Sequence, residues 1–148
     1  MRKGLSRLLL LDVNVLLALA WPNHQFHRAA VARLERSRER WATCAVTELG
    51  FIRLSSSPAV VGVSKSPAEA AVLLGALLQD SLHDYIETLP SPAGPALAGS
   101  FSRILGSKQV TDAYLLRLAA QQGARLLTFD TRLAALAQDD RRVEVLGG

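Results

Sequence analysis

Two short apolar runs of this 148-residue chain each end at an aspartate. Residues 8–11 are four leucines followed by Asp12, and residues 126–129 (Leu-Leu-Thr-Phe) are followed by Asp130. A continuous apolar run of this length is typical of a strand buried on both faces of a parallel sheet. Because a carboxylate is costly inside a core, we expect each aspartate where its strand leaves the sheet. Asp is also favoured as a helix N-cap, and this alternative stays open for Asp12.

Strand-like and helical segments alternate along the whole chain. The sequence predicts strands at residues 8–11, 41–45, 85–89, 125–129 and 143–146, and helices at residues 12–20, 24–40, 48–54, 66–80, 101–105, 111–122 and 131–137. The clearest helix start has Ser66 and Glu69 in capping-box spacing, with Pro67 at the first helical position. This alternation predicts an α/β fold, a single three-layer α/β/α domain over residues 1–148 with a central, mainly parallel sheet.

Two more acids, Glu48 and Asp112, fall near predicted helix starts. In an open α/β sheet, strand ends and helix starts meet on one edge, and ligands bind there. If Asp12, Glu48, Asp112 and Asp130 converge at that edge, they cannot all stay charged without a cation between them. Carboxylate oxygens suit Mg²⁺ or Mn²⁺, so the set predicts a metal-dependent phosphodiesterase. The alternative for Glu48 and Asp112 is a first-turn acid that the helix dipole favours.

Three polar residues lie beside these acids. Asn14 follows Asp12 by two positions and either supports it or faces solvent. Thr111 either caps the helix that Asp112 opens or hydrogen-bonds near the acids, and Thr128 lies two residues before Asp130. We take Asn14, Thr111 and Thr128 as supporting residues of the predicted site.

The chain is basic, with 17 Lys and Arg against 13 Asp and Glu. A basic body around an acidic pocket suits an enzyme that cuts a polyanion, although many small basic proteins bind no nucleic acid. Five arginines in residues 28–40 are able to follow phosphates, but Glu35 and Glu39 among them favour an ordinary salt-bridged helix surface. Lys65 and Lys108 lie in predicted loops and are better placed to reach a substrate.

Cysteine usage and hydropathy bear on where the protein works. The single cysteine, Cys44, excludes an intrachain disulfide, which fits a reducing cytoplasm, and its apolar surroundings predict a core residue. No segment approaches ~20 uninterrupted apolar residues, so we predict no membrane span. The expected location is cytoplasmic.

Four strings of the sequence resemble the acidic motifs of the PIN-domain family: LLLLDVNVLLALA, TELGFIRL, VTDAYLLRLA and LLTFDTRLA. In order and spacing they are most similar to the VapC-type toxin ribonucleases of type II toxin–antitoxin systems. The resemblance covers nearly the whole chain. It implies an Mg²⁺-dependent endoribonuclease (Mn²⁺ as a substitute) that forms homodimers and is inhibited by a cognate antitoxin protein.

The resemblance also assigns roles to residues. It implies catalytic and metal-binding roles for Asp12, Glu48, Asp112 and Asp130, with Asn14 and Thr128 as supporting residues. No acid of the pattern is missing, and Asp130 is the one expected to matter least.

Other functions share parts of this pattern. A DNA-directed nuclease would use the same site, and a non-catalytic PIN-fold interaction module would keep the fold alone. A phosphatase with a nucleophilic aspartate after its first strand is disfavoured, because Asn14 stands where its second aspartate is expected. For the implied homodimer, apolar residues around Phe51, Ile52 and Leu54 are a possible self-complementary interface.

Overall fold

The computed structural model contains a sheet of five parallel strands. It describes residues 8–58, 65–102, 104, 106–137 and 140–147. The strands are β1 (Leu9–Leu11), β2 (Trp41–Cys44), β3 (His83–Ile86), β4 (Arg125–Thr128) and β5 (Val143–Val145). Their order is β3-β2-β1-β4-β5, and every neighbouring pair is parallel. The predicted α/β fold with a central parallel sheet is confirmed.

The order of the strands reverses between β1 and β4. The chain builds the sheet from β1 outward to β3, and then returns to the other side of β1 to place β4 and β5. The carboxyl ends of strands on either side of such a reversal open a crevice where α/β proteins bind ligands. Leu11 pairs with Leu127 in the register, so Asp12 leaves the sheet beside Thr128.

Six α-helices flank the sheet in the described part of the chain. They are α1 (Val13–Ala20), α2 (His27–Ser37), α3 (Ala45–Ser55), α4 (Pro67–Leu77), α5 (Val110–Gln121) and α6 (Arg132–Leu136). Short 3-10 turns occur at Pro95–Leu97, Ser107–Gln109 and Asp140–Arg142. The capping box of α4 is present, since Ser66 and Glu69 each accept a hydrogen bond from the other's backbone N–H.

Several element boundaries differ from the sequence-based prediction. The helix predicted at 24–40 spans only α2, because Arg38 ends it in the left-handed conformation with φ of 53°. Helix α3 begins three residues before Glu48, where the Thr47 hydroxyl accepts a hydrogen bond from Cys44 N–H. Strand β3 begins at His83 rather than at Tyr85. The helix predicted at 101–105 is wrong for residues 101, 102 and 104, which are not helical, and its other residues lie outside the described ones.

Strand β1 is buried on both faces, as its run of leucines predicts. Leu10 faces one core layer, which it shares with Leu115 of α5 and with Cys44, while Leu9 and Leu11 face the other. Each of these side chains is fully buried. At roughly 1.5–3 kcal/mol per buried leucine, this strand is a strong anchor for the aspartate that follows it.

Helices α1 and α3 approach each other closely. A Cβ at Gly50 would lie 2.8 Å from Val13 Cγ2, so only glycine permits this packing without a shift of the neighbouring valine. Phe51, on the same helix, is fully buried, so the suggestion that Phe51 adds to an exposed dimer surface is wrong. The exposed apolar side chains nearby are Leu49 (63% exposed) and Val72 (74%).

A network of four charges joins α2 to the far side of the sheet. Arg33 pairs with Glu39 and Glu144, and Arg125 pairs with the same two carboxylates. Arg33 and Glu39 are 4% and 7% exposed, so the prediction of an ordinary salt-bridged surface is wrong for this pair.

In the parts of the chain that the structure describes, no helix is both long and apolar enough to cross a membrane.

Candidate active site

Asp12 occupies both of the positions that the sequence left open. It follows β1 at the sheet edge and is the N-cap of α1, where its Oδ1 accepts a hydrogen bond of 2.8 Å from Val13 N–H. Its Oδ2 accepts one of 2.6 Å from the Thr128 hydroxyl. Burial raises the pKa of Asp12, the two hydrogen bonds oppose that rise, and the charge of Asp130 adds to it. A buried carboxylate fixed through both oxygens is rigidly oriented.

Asp112 lies in the first turn of α5, close to two other aspartates. Burial, followed by the charges of Asp12 and Asp130, raises the pKa of Asp112 to about 6. A carboxyl whose pKa is raised in the folded protein stabilises the fold while it is protonated. This contribution to the free energy of unfolding is lost as the pH rises through about 6. At neutral pH the Asp112 charge is therefore unfavourable in the protein alone, and a bound cation would offset it.

Asp130 is paired with an arginine rather than left free. Its carboxylate accepts hydrogen bonds from Arg132 Nε at 3.0 Å, from Nη2 at 2.8 Å and from the backbone N–H at 2.9 Å. This pairing holds the pKa of Asp130 below its usual range. The Asp130 N–H donates to Thr128 Oγ1 at 3.0 Å, so the Thr128 hydroxyl links Asp130 to Asp12.

The carboxylate of Glu48, on α3, is held by a threonine of β2. Its Oε2 accepts a hydrogen bond of 2.7 Å from the Thr43 hydroxyl, and Thr43 Oγ1 lies 2.8 Å from His83 Nε2. Glu48 is not among the charges that raise the pKa of Asp112. Asp12, Asp112 and Asp130 thus lie within electrostatic range of one another, whereas Glu48, on α3, is held by Thr43 of β2.

Among the described residues, Asn14 and Thr111, the two supporting residues besides Thr128, make no hydrogen bond to the four acids. Asn14 Oδ1 accepts a hydrogen bond of 3.4 Å from Phe129 N–H, so Asn14 tethers the segment after β4 to α1. Thr111 is exposed and lines, with Val110 and Tyr114, an apolar cavity of about 350 Å³.

The donor chemistry of the aspartates fits a hard divalent cation. Asp12, Asp112 and Asp130 offer carboxylate oxygens only, and the charge of Asp130 raises the pKa of both Asp12 and Asp112. No three His, Cys, Asp or Glu residues in the described ranges converge at metal-ligand geometry. The positive charge next to Asp130 is that of Arg132.

Sequence reasoning missed three polar residues of this region. Arg132 follows Asp130 by two positions at the start of α6, and that spacing was an available signal. Thr43 and His83 lie on neighbouring strands, and only the β2–β3 register brings them together. No pattern within either strand predicts their contact.

Comparison with known proteins identifies the family. The sequence model of the PIN-domain family matches residues 9–139. The chain is 42% identical to Ribonuclease VapC39 of Mycobacterium tuberculosis over 127 residues, which cover 84% of this chain and 90% of that protein. It is 38% identical to Ribonuclease VapC38 of the same organism, covering 92% and 94% of the two chains.

Solved structures share the fold at low identity. The crystal structure of Mycobacterium tuberculosis VapC20, a Sarcin-Ricin loop cleaving toxin, matches with a TM-score of 0.61 and 17% identity, covering 89% of this chain and 97% of that one. VapBC2 from Rickettsia felis, bound to a DNA fragment from their promoter, matches with a TM-score of 0.60 and 12% identity, covering 95% and 99%. With its family-model match and these close relatives, the chain belongs to the PIN-domain family, in its VapC ribonuclease branch.

Proposed function

We propose that this protein is the toxin of a toxin–antitoxin pair, an endoribonuclease that hydrolyses RNA phosphodiester bonds with Mg²⁺, for which Mn²⁺ substitutes. The observation that carries the proposal is the proximity of Asp12, Asp112 and Asp130 at the strand-order reversal, where burial and the charges of Asp12 and Asp130 raise the pKa of Asp112 to about 6. The similarity to proteins named Ribonuclease VapC supports RNA as the substrate.

Each acid has a defined part in the proposed reaction. Asp12, Asp112 and Asp130 would hold the metal, and Glu48 completes the set from α3. A bound Mg²⁺ supplies Lewis-acid stabilisation of the charge that develops on the phosphodiester. Thr128 orients Asp12 and is hydrogen-bonded to Asp130 N–H, so it fixes the spacing between β1 and β4. Because the pKa of Asp112 is about 6, a proton competes with the metal there below that pH.

Two lysines are candidates for RNA contacts. Lys108 is exposed in the turn directly before α5, on the approach to Asp112. Lys65 Nζ lies 5.6 Å from the centroid of the Trp21 ring, and we propose that this lysine contacts a phosphate and this ring a base. Such contacts would hold single-stranded RNA across the edge of the sheet.

Two protein partners follow from the family relation. We propose a cognate antitoxin protein, in keeping with the VapBC2 complex that shares the fold. Its natural target is the acid cluster, where an arginine or lysine would replace the charge of the metal. We also propose a homodimer, for which the exposed Leu49 and Val72 on α3 and α4 offer apolar surface.

We expect purified protein to cut total cellular RNA at discrete positions with Mg²⁺ and to lose that activity in excess EDTA. The physical reason is that three carboxylates cannot approach a phosphodiester without a cation to neutralise them. Mapping of the new 5′ ends on RNA, with single-stranded DNA of matched sequence as a parallel substrate, checks this. Cleavage that persists in EDTA contradicts the metal site, and cleavage of the DNA alone contradicts RNA as the substrate.

The hydroxyl of Thr128 gives a second test of the site. We expect Thr128→Val to weaken Mn²⁺ binding by roughly 10- to 100-fold, as is usual when the partner that orients a metal ligand is lost. Valine keeps the shape of this buried strand position but leaves Asp12 Oδ2 without its donor. Calorimetric titration with Mn²⁺ measures the change, and Thr88→Val, at an exposed position, is the matched control. If the Thr128 variant and the wild type bind Mn²⁺ with equal affinity, Thr128 does not support the metal site.

A further inference from the structure

Arg132 is an exposed side chain that is nevertheless fixed in one orientation. It opens α6, and its side chain is 72% exposed. Its Nε and Nη2 donate to the two different oxygens of Asp130, at 3.0 and 2.8 Å. This two-point geometry matches the planar guanidinium to a carboxylate, and it matches a phosphate equally well.

The charge of Arg132 acts beyond its own ion pair. It lowers the pKa of Asp112 and so opposes the effects of burial, Asp12 and Asp130 on that carboxyl. Arg132 therefore lies within the electrostatic field of Asp112 as well as that of its ion-pair partner Asp130. It provides part of the positive charge that this cluster needs.

A metal ion bound at the aspartates would compete with Arg132 for Asp130. The bidentate pair engages both carboxylate oxygens, and a cation at the cluster would take at least one of them. The Arg132 side of this ion pair is exposed, and exposed pairs are weak because water solvates them, so a divalent cation bound at Asp130 would displace Arg132. The guanidinium would then stay tethered at the start of α6, with its five N–H donors available at the edge of the acid cluster.

We infer that Arg132 is a phosphate-binding residue of the substrate site, paired with Asp130 in the free protein and with an RNA phosphate once a metal takes Asp130. The inference rests on the proposed ribonuclease function and adds a specific substrate contact to it. An anionic substrate enters a cluster of carboxylates, and Arg132 is a cation already in place there that a phosphate is able to recruit. A purely structural role would confine Arg132 to holding the first turn of α6 through Asp130.

The test uses the full-length protein and three variants. Arg132→Gln removes the charge, and Arg132→Lys keeps the charge but not the planar, two-point geometry of the guanidinium. Arg36→Gln, at an exposed position of α2, is the matched control. One readout is the Mn²⁺ affinity of the RNA-free protein by calorimetry. The other is the equilibrium binding of a labelled single-stranded RNA, with Ca²⁺ in place of Mg²⁺ and the RNA shown intact on a gel, over a range of salt concentrations.

We expect opposite changes in the two affinities for Arg132→Gln. Mn²⁺ binding becomes roughly 2- to 5-fold tighter, because a weak competitor for Asp130 is gone. RNA binding weakens, and the slope of log K against log[salt] falls by about 0.7, the value for one phosphate contact on a single strand. Arg132→Lys keeps the wild-type slope, and Arg36→Gln keeps both wild-type affinities. RNA affinity and salt slope equal to wild type in Arg132→Gln overturn the inference, whatever the thermal stability of the variant.

The same experiment separates this inference from the proposed function. Wild-type protein that binds RNA in an Arg132-dependent way but never cuts it overturns the ribonuclease and leaves the Arg132 contact standing. If wild-type protein cuts RNA with Mg²⁺ but the Arg132→Gln variant keeps the wild-type RNA affinity, the ribonuclease function stands and the Arg132 contact is overturned.

Discussion

Asp12→Asn is expected to reduce RNA cleavage by at least about 1,000-fold while leaving the protein folded. Several kcal/mol of transition-state stabilisation depend on a metal ion in reactions of this kind, and about 4 kcal/mol corresponds to that factor. Asp12 is 8% exposed and lies between the carboxyl ends of β1 and β4, where its carboxylate is the proposed metal ligand. The measurement is the initial rate on an RNA whose cut site has been mapped, at saturating Mg²⁺.

The fold survives this change because the amide retains the hydrogen bonds. The asparagine oxygen accepts from Val13 N–H, and the Thr128 hydroxyl rotates to accept from the side-chain NH₂. Burial raises the pKa of Asp12, so removal of its charge costs little stability and relieves Asp112 of one repulsive neighbour. We expect the free energy of unfolding to stay within about 1 kcal/mol of wild type.

A metal titration shows whether a loss of activity comes from the site. Mn²⁺ should raise the melting temperature of the wild type, because a ligand that binds only the folded state stabilises it, and it should not raise that of Asp12→Asn. Glu35→Gln, an exposed carboxylate-to-amide change on α2, is the control with wild-type behaviour in both assays. A well-folded Asp12→Asn protein that cleaves RNA at the wild-type rate would contradict the assignment of Asp12.

Local sequence patterns were sufficient to place the candidate site residues near β1 and β4. A run of apolar residues that ends at an aspartate specifies both the buried strand and the polar residue at its carboxyl end, because the two constraints act on adjacent positions. Leu9 to Leu11 are fully buried, and Asp12 follows them at the edge. The position of Asp112 follows from the same topology, since α5 returns the chain to β4.

The orientation of Glu48 depends on contacts that no local pattern contains. Its carboxylate is held by Thr43, whose own position depends on the parallel register of β2 with β3. A strand shifted by one residue would turn Thr43 to the other face of the sheet. The sequence predicts the acid and its helix, but the direction of the side chain is set by tertiary packing.

Long-range pairing also explains why the burial of Arg33 was not predicted. An arginine in a helix with many exposed charges has the pattern of a surface residue. Its partner Glu144 is 111 residues away in sequence, and Glu39 becomes a partner only because α2 ends at Arg38. Buried charges are tolerated when they are paired and hydrogen-bonded, and only the folded chain shows whether the partners are present.

Arg33→Met is expected to destabilise the protein by about 3 kcal/mol. Methionine preserves much of the apolar stem but leaves Glu39, which is 7% exposed, and Glu144 without their main cation. Removing one partner of a buried pair is costly because the remaining charge stays desolvated. Denaturant unfolding at pH 7 measures the loss, and Arg36→Met, at an exposed position of the same helix, should change stability by less than about 0.5 kcal/mol.

The loss in Arg33→Met should shrink as the pH falls below about 4.5. Hydrogen bonds and charge from Arg33 hold the pKa of Glu144 below its usual value, and for Glu39 the hydrogen bonds from Arg33, Ser37 and Arg125 outweigh the effect of burial. A carboxylate with a lowered pKa contributes stability above its unfolded pKa, and this contribution is lost as the pH falls through the folded value. The free energy of unfolding of the wild type therefore falls in acid. In Arg33→Met the carboxylates are unpaired and their burial is costly, so their protonation stabilises the variant. A pH-independent difference between the two proteins would mean that the network acts through packing rather than through charge.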